Sequence, residues 1–427
     1  MSHSDSCQQK PWQQPLQIGP LVRGLAWCLG KAQSWGLNYP DFSEQKLMAA
    51  ARKKTGLDDF GDQRFLEPLR LRLSYLKNNK RLSPLGRVVA WQVLLKPLVN
   101  RLRIQDLLKR HPEIREQQIV RPLFVAAFPR TGTTLLSKLL ALDPASRPLL
   151  FWEAMQPTPE ESHKVGEPDP RMARAEDIIA RLWRMLPALR RIHDIDPLGP
   201  EECAGLLANA YIMPVFEEDD VNYRQWIEGL SREQICAAYE EYKLQLQILQ
   251  WQRGGGHWVL KSPLHLNWLD ALLTTFPDAC VVQTHRDPKQ VLPSICSLDA
   301  VMQQAACGKV DCMEVGRHLS SQLAASLRRG MQARLNHPPE RVYDVQYADL
   351  LRDPAAVLRS IYEHFGYTYS DAMAGRVADY LAANPQHKHG SHQYQLSDFG
   401  LSAEDLDRSF GDYCERFQIP LAGQVSQ

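Results

Sequence analysis

The chain has 427 residues, and its 50 Lys and Arg against 49 Asp and Glu leave a net charge of +1. No global field gathers nucleic acid at that balance, so the cations any anionic ligand needs must be concentrated locally. Hydrophobic residues make up 44%, enough for the core of one large domain or two, while no window approaches the ~20 apolar residues of a membrane span.

The polar start, Met1-Ser-His-Ser-Asp5, reads as neither leader nor anchor, which predicts a soluble, cytoplasmic protein. Nine cysteines scattered from Cys7 to Cys414 suit free thiols in a reducing compartment. Cys307 and Cys312 have no His or Cys cluster beside them, so no metal site is expected.

Residues 1–18 are polar and rich in Gln and Pro, a flexible start. From about Leu21 to Ile104 the apolar positions recur at helical intervals, broken at Tyr39-Pro40, Gly56, Gly61 and Ser83-Pro84, which predicts a helical extension over 19–118. Within it Leu21–Gly30 is amphipathic and carries Trp27. That pattern suits a helix packed on the main domain, with contact to a membrane surface as the alternative.

Residues 122–134 then read Pro-Leu-Phe-Val-Ala-Ala-Phe-Pro-Arg-Thr-Gly-Thr-Thr, an apolar strand entering a turn that opens onto the helical stretch Leu135–Leu142. Such a turn aims backbone N–H groups and a positive helix end at a bound anion. The nucleotide-triphosphatase loop G-x-x-x-x-G-K-S/T is absent, because Ala127 stands at its first Gly and Thr133 at its Lys. Arg130 becomes the cation, and its planar fork suits the several oxygens of a phosphosulfate.

Between Phe151 and Trp251 the chain reads as mostly helical, with a Pro-rich bend over Gln156–Pro170 and helices near Arg171–Arg191, Glu201–Tyr211 and Arg232–Trp251. A hinge-like Gly254–Gly256 run leads to a strand at 257–262 ending in Lys261, a helix over Leu266–Phe276, and a strand at 279–285 ending in His285-Arg286-Asp287-Pro288. Asp287 can cap a helix begun by Pro288. Ser294, about two turns along that helix, returns to the side of Arg286. A last strand is read at 341–346. Strands each followed by a helix mark an α/β fold with a P-loop-like parallel β-sheet flanked by helices, a helical N-terminal extension and helical insertions. Cofactors in such sheets lie off the strands' carboxyl ends, where Arg130, Lys261 and Arg286 all fall.

Phe128-Pro-Arg-Thr-Gly-Thr-Thr134 together with His285-Arg-Asp-Pro288 and Ser294 resembles the sulfotransferases that use 3′-phosphoadenosine-5′-phosphosulfate (PAPS), in their bacterial branch with a helical N-terminal extension. The resemblance runs over roughly 119–417. It makes Arg130, Thr131, Gly132, Thr133 and Thr134 the 5′-phosphosulfate loop, and Arg286 with Ser294 the 3′-phosphate pair. Tyr347, in Tyr347-Ala-Asp-Leu-Leu-Arg-Asp-Pro354, falls on the segment flanking the adenine, and Lys388, His389 and Gly390 on a basic terminal loop closing over the 3′-phosphate. It implies a sulfotransferase domain over 119–427, acceptor-pocket helices at about 151–253, and sulfuryl transfer to a hydroxyl or amine of a small-molecule or lipid-like acceptor. Adenosine 3′,5′-bisphosphate is released, and no metal or nucleic acid takes part.

Arg130 and Lys261 would neutralise the leaving phosphate, and a general base must take the acceptor's proton. Glu153, spaced from the loop like the catalytic Glu of tyrosylprotein sulfotransferases, is the first choice. His265 competes, although Pro263 occupies the position where cytosolic sulfotransferases place their His. His193, near Glu201 and Glu202, is the third candidate. A P-loop-type nucleotide kinase and a non-catalytic adenosine-bisphosphate-binding module remain the alternatives.

Overall fold

The computed structural model describes residues 10–35, 39–160, 166–193, 195–213, 220–384 and 395–419. Each apolar run read as a strand contains one: β1 is Leu123–Val125, β3 His257–Lys261, β4 Cys280–His285 and β5 Val342–Gln346. A three-residue strand, β2 at Ser146–Pro148, was not anticipated, because Ser-Arg-Pro carries no apolar pattern. It lies at one edge of a parallel sheet of order β2-β3-β1-β4-β5, the position where a Pro costs no ladder bond.

The central strands are buried on both faces. Phe124, Leu260 and Val281 share one core with Tyr239, Tyr242 and Leu272 from the helices Arg232–Gln252 and Leu269–Thr275. Leu123, Val125, Val259 and Val282 point the other way, against Leu136 and Leu140 of the helix Thr133–Leu140 and Leu358 of Pro354–Phe365. Alternate residues thus serve opposite layers, as a two-sided parallel sheet requires.

Proline and short polar sequence divide the helices more finely than periodicity suggested. The stretch read as one helix over Arg171–Arg191 is Pro170–Met185 and Pro187–Ile192, because Pro187 has no N–H to continue the first. Glu201 and Glu202 precede a short helix, Ala204–Leu207, rather than lying on one. The reading at Leu266–Phe276 resolves into a 3₁₀ turn, Pro263–Leu266, and the helix Leu269–Thr275.

Upstream, helices Glu44–Thr55, Leu66–Asn78 and Pro84–Arg110 bury Leu47, Leu69, Leu94 and Leu98 in a cluster that also takes in Tyr211. Gly56 ends the first of these in the left-handed conformation. Arg101 fastens the group to the main sheet's helices: it donates to Asn209 O at 3.2 Å and pairs with Glu241 at 2.7 Å. The preceding helix, Pro20–Ser34, has no buried residue.

Candidate active site at the carboxyl ends of the strands

β1 delivers the chain into a turn held in two left-handed conformations, Arg130 at φ 63° and Gly132 at φ 91°. A side chain on Gly132 would be strained there and crowded besides. Its Cβ would stand 2.9 Å from Leu350 Cδ2 and 3.0 Å from Tyr347 Cδ2. Thr131 turns inward: its hydroxyl donates to Phe128 O at 2.5 Å and meets Thr284 Oγ1 at 2.5 Å, locking the loop to the end of β4. The helix Thr133–Leu140 starts immediately, so its first amides lack intrahelical partners. Pro129, Arg130, Gly132, Thr133 and Thr134 line a cavity of about 420 Å³.

Arg286 and Ser294 face the same cavity. Asp287 caps the helix Pro288–Cys307 by accepting from Lys289 N–H, and two turns along it Ser294 Oγ accepts from Arg130 Nε at 3.0 Å. Arg286 donates from Nη1 to the carbonyl of Arg130 at 3.1 Å. Its guanidinium lies 4.1 Å from the ring centroid of Tyr347, a cation–π stack that fixes the fork's plane. Arg286, Ser294 and Tyr347 all line the cavity.

The third group comes from the helical insertion. Lys261, at the carboxyl end of β3, is nearly buried, and its Nζ donates to Glu202 Oε1 at 2.8 Å. Three backbone bonds hold Glu202 there. Glu201 N–H donates to Leu149 O at 2.9 Å, Phe151 N–H to Gly199 O at 3.0 Å, and Cys203 N–H to Lys261 O at 2.9 Å. Burial raises the pKa of neighbouring Glu201, whose side chain accepts from Glu202 N–H. Glu202 and His193 line the cavity opposite the loop. Sequence reasoning noted Glu202 only as a neighbour of His193. The available signal was a carboxylate pair directly behind the Gly199-Pro200 turn.

Two sequence candidates for the base lie elsewhere. Glu153 is buried and fully engaged: Arg147 donates to its two oxygens at 3.0 and 3.2 Å, Arg253 at 3.2 Å, and Leu150 N–H at 3.1 Å. Its carboxylate is thus taken up by the N-cap N–H of its own short helix and by two arginines, one of them in the interior. His265 has no exposed surface and packs among Phe124, Tyr239 and Tyr242, with Nδ1 2.8 Å from the Tyr239 hydroxyl. Burial pushes its pKa down to about 3. Neither lines the cavity, whereas His193 does. Lys388, His389 and Gly390 lie outside the described residues. Among the described residues, no group of three or more His, Cys, Asp or Glu could hold a metal ion.

Fold and site together define a group-transfer enzyme built on a P-loop-like parallel sheet. The model of the sulfotransferase family matches residues 122–371, more than half of the chain, and the chain belongs to that family. The omega-hydroxy-beta-dihydromenaquinone-9 sulfotransferase Stf3 of Mycobacterium bovis is 25% identical over 316 residues, 69% of this chain and 74% of that protein. Among solved structures, sulfotransferase STF1 of Mycobacterium tuberculosis superposes with a TM-score of 0.76 at 31% identity, covering 87% of this chain and 98% of that one. STF9 of Mycobacterium avium gives 0.78 at 29%, covering 91% and 100%.

Proposed function

We propose that this sulfotransferase takes PAPS as its donor, passes the sulfuryl group to a hydroxyl of a lipid-like acceptor, and uses Glu202 as the base. The supporting observation is the convergence on one cavity of Arg130, Thr133 and Thr134 at the start of a helix, Arg286 and Ser294, with Glu202 at its wall and Lys261 bonded to Glu202 from behind. That donor set fits a ligand carrying anionic groups at two ends: a cationic loop with unbonded amides for one, an arginine and a hydroxyl for the other.

Bound PAPS would supply a sulfuryl group on a phosphate leaving group. Arg130 and the loop amides would neutralise charge gathering on that leaving phosphate, and Arg286, stacked on Tyr347, would hold the 3′-phosphate beside Ser294. Lys261 would give up part of its bond to Glu202 to face the transferred oxygens. Glu202 would then accept the proton of the attacking hydroxyl. His193 lines the same wall and is the second choice for that proton. By analogy with phosphoryl transfer, charge stabilisation and positioning carry the reaction.

The helices over about 151–253 bring both His193 and Glu202 to the cavity, which supports their assignment as the acceptor side. A lipid-like acceptor is suggested by the dihydromenaquinone in the name of the mycobacterial relative. All eight cysteines among the described residues are free thiols, as suits a reducing compartment, and we place the enzyme in the cytoplasm. No helix among the described residues is long and apolar enough to cross a membrane.

Radiolabelled PAPS incubated with the purified protein and a lipid extract should yield a labelled lipid without added magnesium. Binding of PAPS with no transfer to any hydroxylated acceptor would instead favour a non-catalytic module, and magnesium-dependent phosphate transfer from ATP a kinase.

A further inference from the structure

We infer that the helix Pro20–Ser34 docks the protein on the surface of an anionic lipid bilayer. Soluble proteins scatter their exposed apolar side chains, and a concentration of them marks a binding surface. Of the twelve large apolar side chains that the described residues expose, Leu21, Val22, Leu25, Trp27, Trp35 and Tyr39 fall within one short stretch, with Leu21 at 91% and Trp35 at 78% exposure.

Helical geometry sorts the residues. At 100° per residue Leu21, Leu25, Cys28, Ala32 and Trp35 form one stripe, Lys31 and Trp27 run along one flank of it, and Arg23 lies further round, on the side away from the stripe. The side turned to the protein includes Ala26, Leu29, Gly30 and Gln33, which are partly covered, and a Cβ on Gly30 would stand 3.6 Å from Pro84 Cγ. The helix therefore leans on the long helix Pro84–Arg110 near Gly30 and leaves Leu21, Val22, Leu25, Trp27 and Trp35 outward and exposed.

Charge selects the occupant. From Ser6 to Pro40 the sequence holds Lys10, Arg23 and Lys31 and no acidic residue, although the whole chain is almost neutral. A membrane interface accommodates this arrangement: leucines enter the acyl boundary, tryptophans sit at the headgroup level, Lys31 reaches anionic phosphates from the flank, and exposed Arg23 adds its positive charge from further round the helix. A second copy of the chain would bring cations to cations with no carboxylate to meet them. The docking surface does not depend on which acceptor the enzyme uses.

The test is co-sedimentation of the full chain with vesicles of phosphatidylcholine alone or mixed with phosphatidylglycerol, alongside light scattering. Wild type should bind the phosphatidylglycerol vesicles more tightly, and Leu25→Glu should weaken binding by about tenfold or more. Exchanging Arg23 and Lys31 for Gln should remove the preference for the anionic lipid. Circular dichroism and the unfolding midpoint should not change in these variants, since the residues are exposed. Absence of binding to anionic vesicles would overturn the proposal. So would binding indifferent to Leu25→Glu, or a wild-type dimer that Leu25→Glu turns into a monomer.

Discussion

Lys261 Nζ and Glu202 Oε1 lie 2.8 Å apart at the end of β3, joining a nearly buried cation to a carboxylate on the cavity wall. The bond fixes where the Glu202 carboxylate sits on the cavity wall.

Glu202→Gln should therefore lower kcat by about 10²–10⁴-fold, the usual loss of a positioned general base. Binding of adenosine 3′,5′-bisphosphate should persist. Steady-state kinetics of Glu202→Gln and His193→Asn side by side decide the role. Full turnover in the first with none in the second would move the base to His193.

Glu153→Gln should act on stability instead. Removing this carboxylate leaves Arg147, whose side chain is 2% exposed, charged and unneutralised by it in the interior. Breaking a buried pair from one side costs about 3–5 kcal/mol. Urea unfolding should show that loss, while kcat of the folded protein stays near wild type.

Arg286→Ala should raise KM for the donor by about 10- to 100-fold, the worth of a charge-assisted hydrogen bond to a phosphate, and leave kcat much less affected. The stack on Tyr347 also vanishes, so Tyr347→Leu should show a smaller rise in the same direction.

His265 makes acid destabilising. Its folded pKa of about 3 lies below the ordinary histidine value of 6.5, so the native state favours the neutral ring. The corresponding stability is complete above the unfolded pKa and is lost as pH falls toward the folded one, at about 1.4 kcal/mol per pH unit. Unfolding midpoints measured between pH 7 and 4 should fall, and His265→Gln should flatten the slope.

The sheet and the clustering of Arg130, Arg286 and Ser294 at one cavity were legible in the sequence because each rests on local pattern. Apolar runs such as Leu123–Val125 and Cys280–His285 end in the loop and arginine that face the cavity, and Ser294 returns by helical spacing alone. The acceptor side was not legible in the same way. Glu202 reaches Lys261 through backbone bonds between segments about fifty residues or more apart in the chain, Leu149, Gly199 and Lys261 among them. Glu153 had suitable spacing and chemistry, yet Arg147, six residues before it, claims both oxygens. β2 escaped notice because an edge strand of Ser-Arg-Pro needs pairing more than it needs hydrophobicity.

Calorimetric titration of adenosine 3′,5′-bisphosphate into the wild-type protein and Arg286→Ala addresses the proposed donor site most directly. Saturable binding by wild type, weakened by about tenfold or more in Arg286→Ala, is the expected result. Wild-type protein that is folded and releases no heat, or a variant that binds as tightly as wild type, would contradict it.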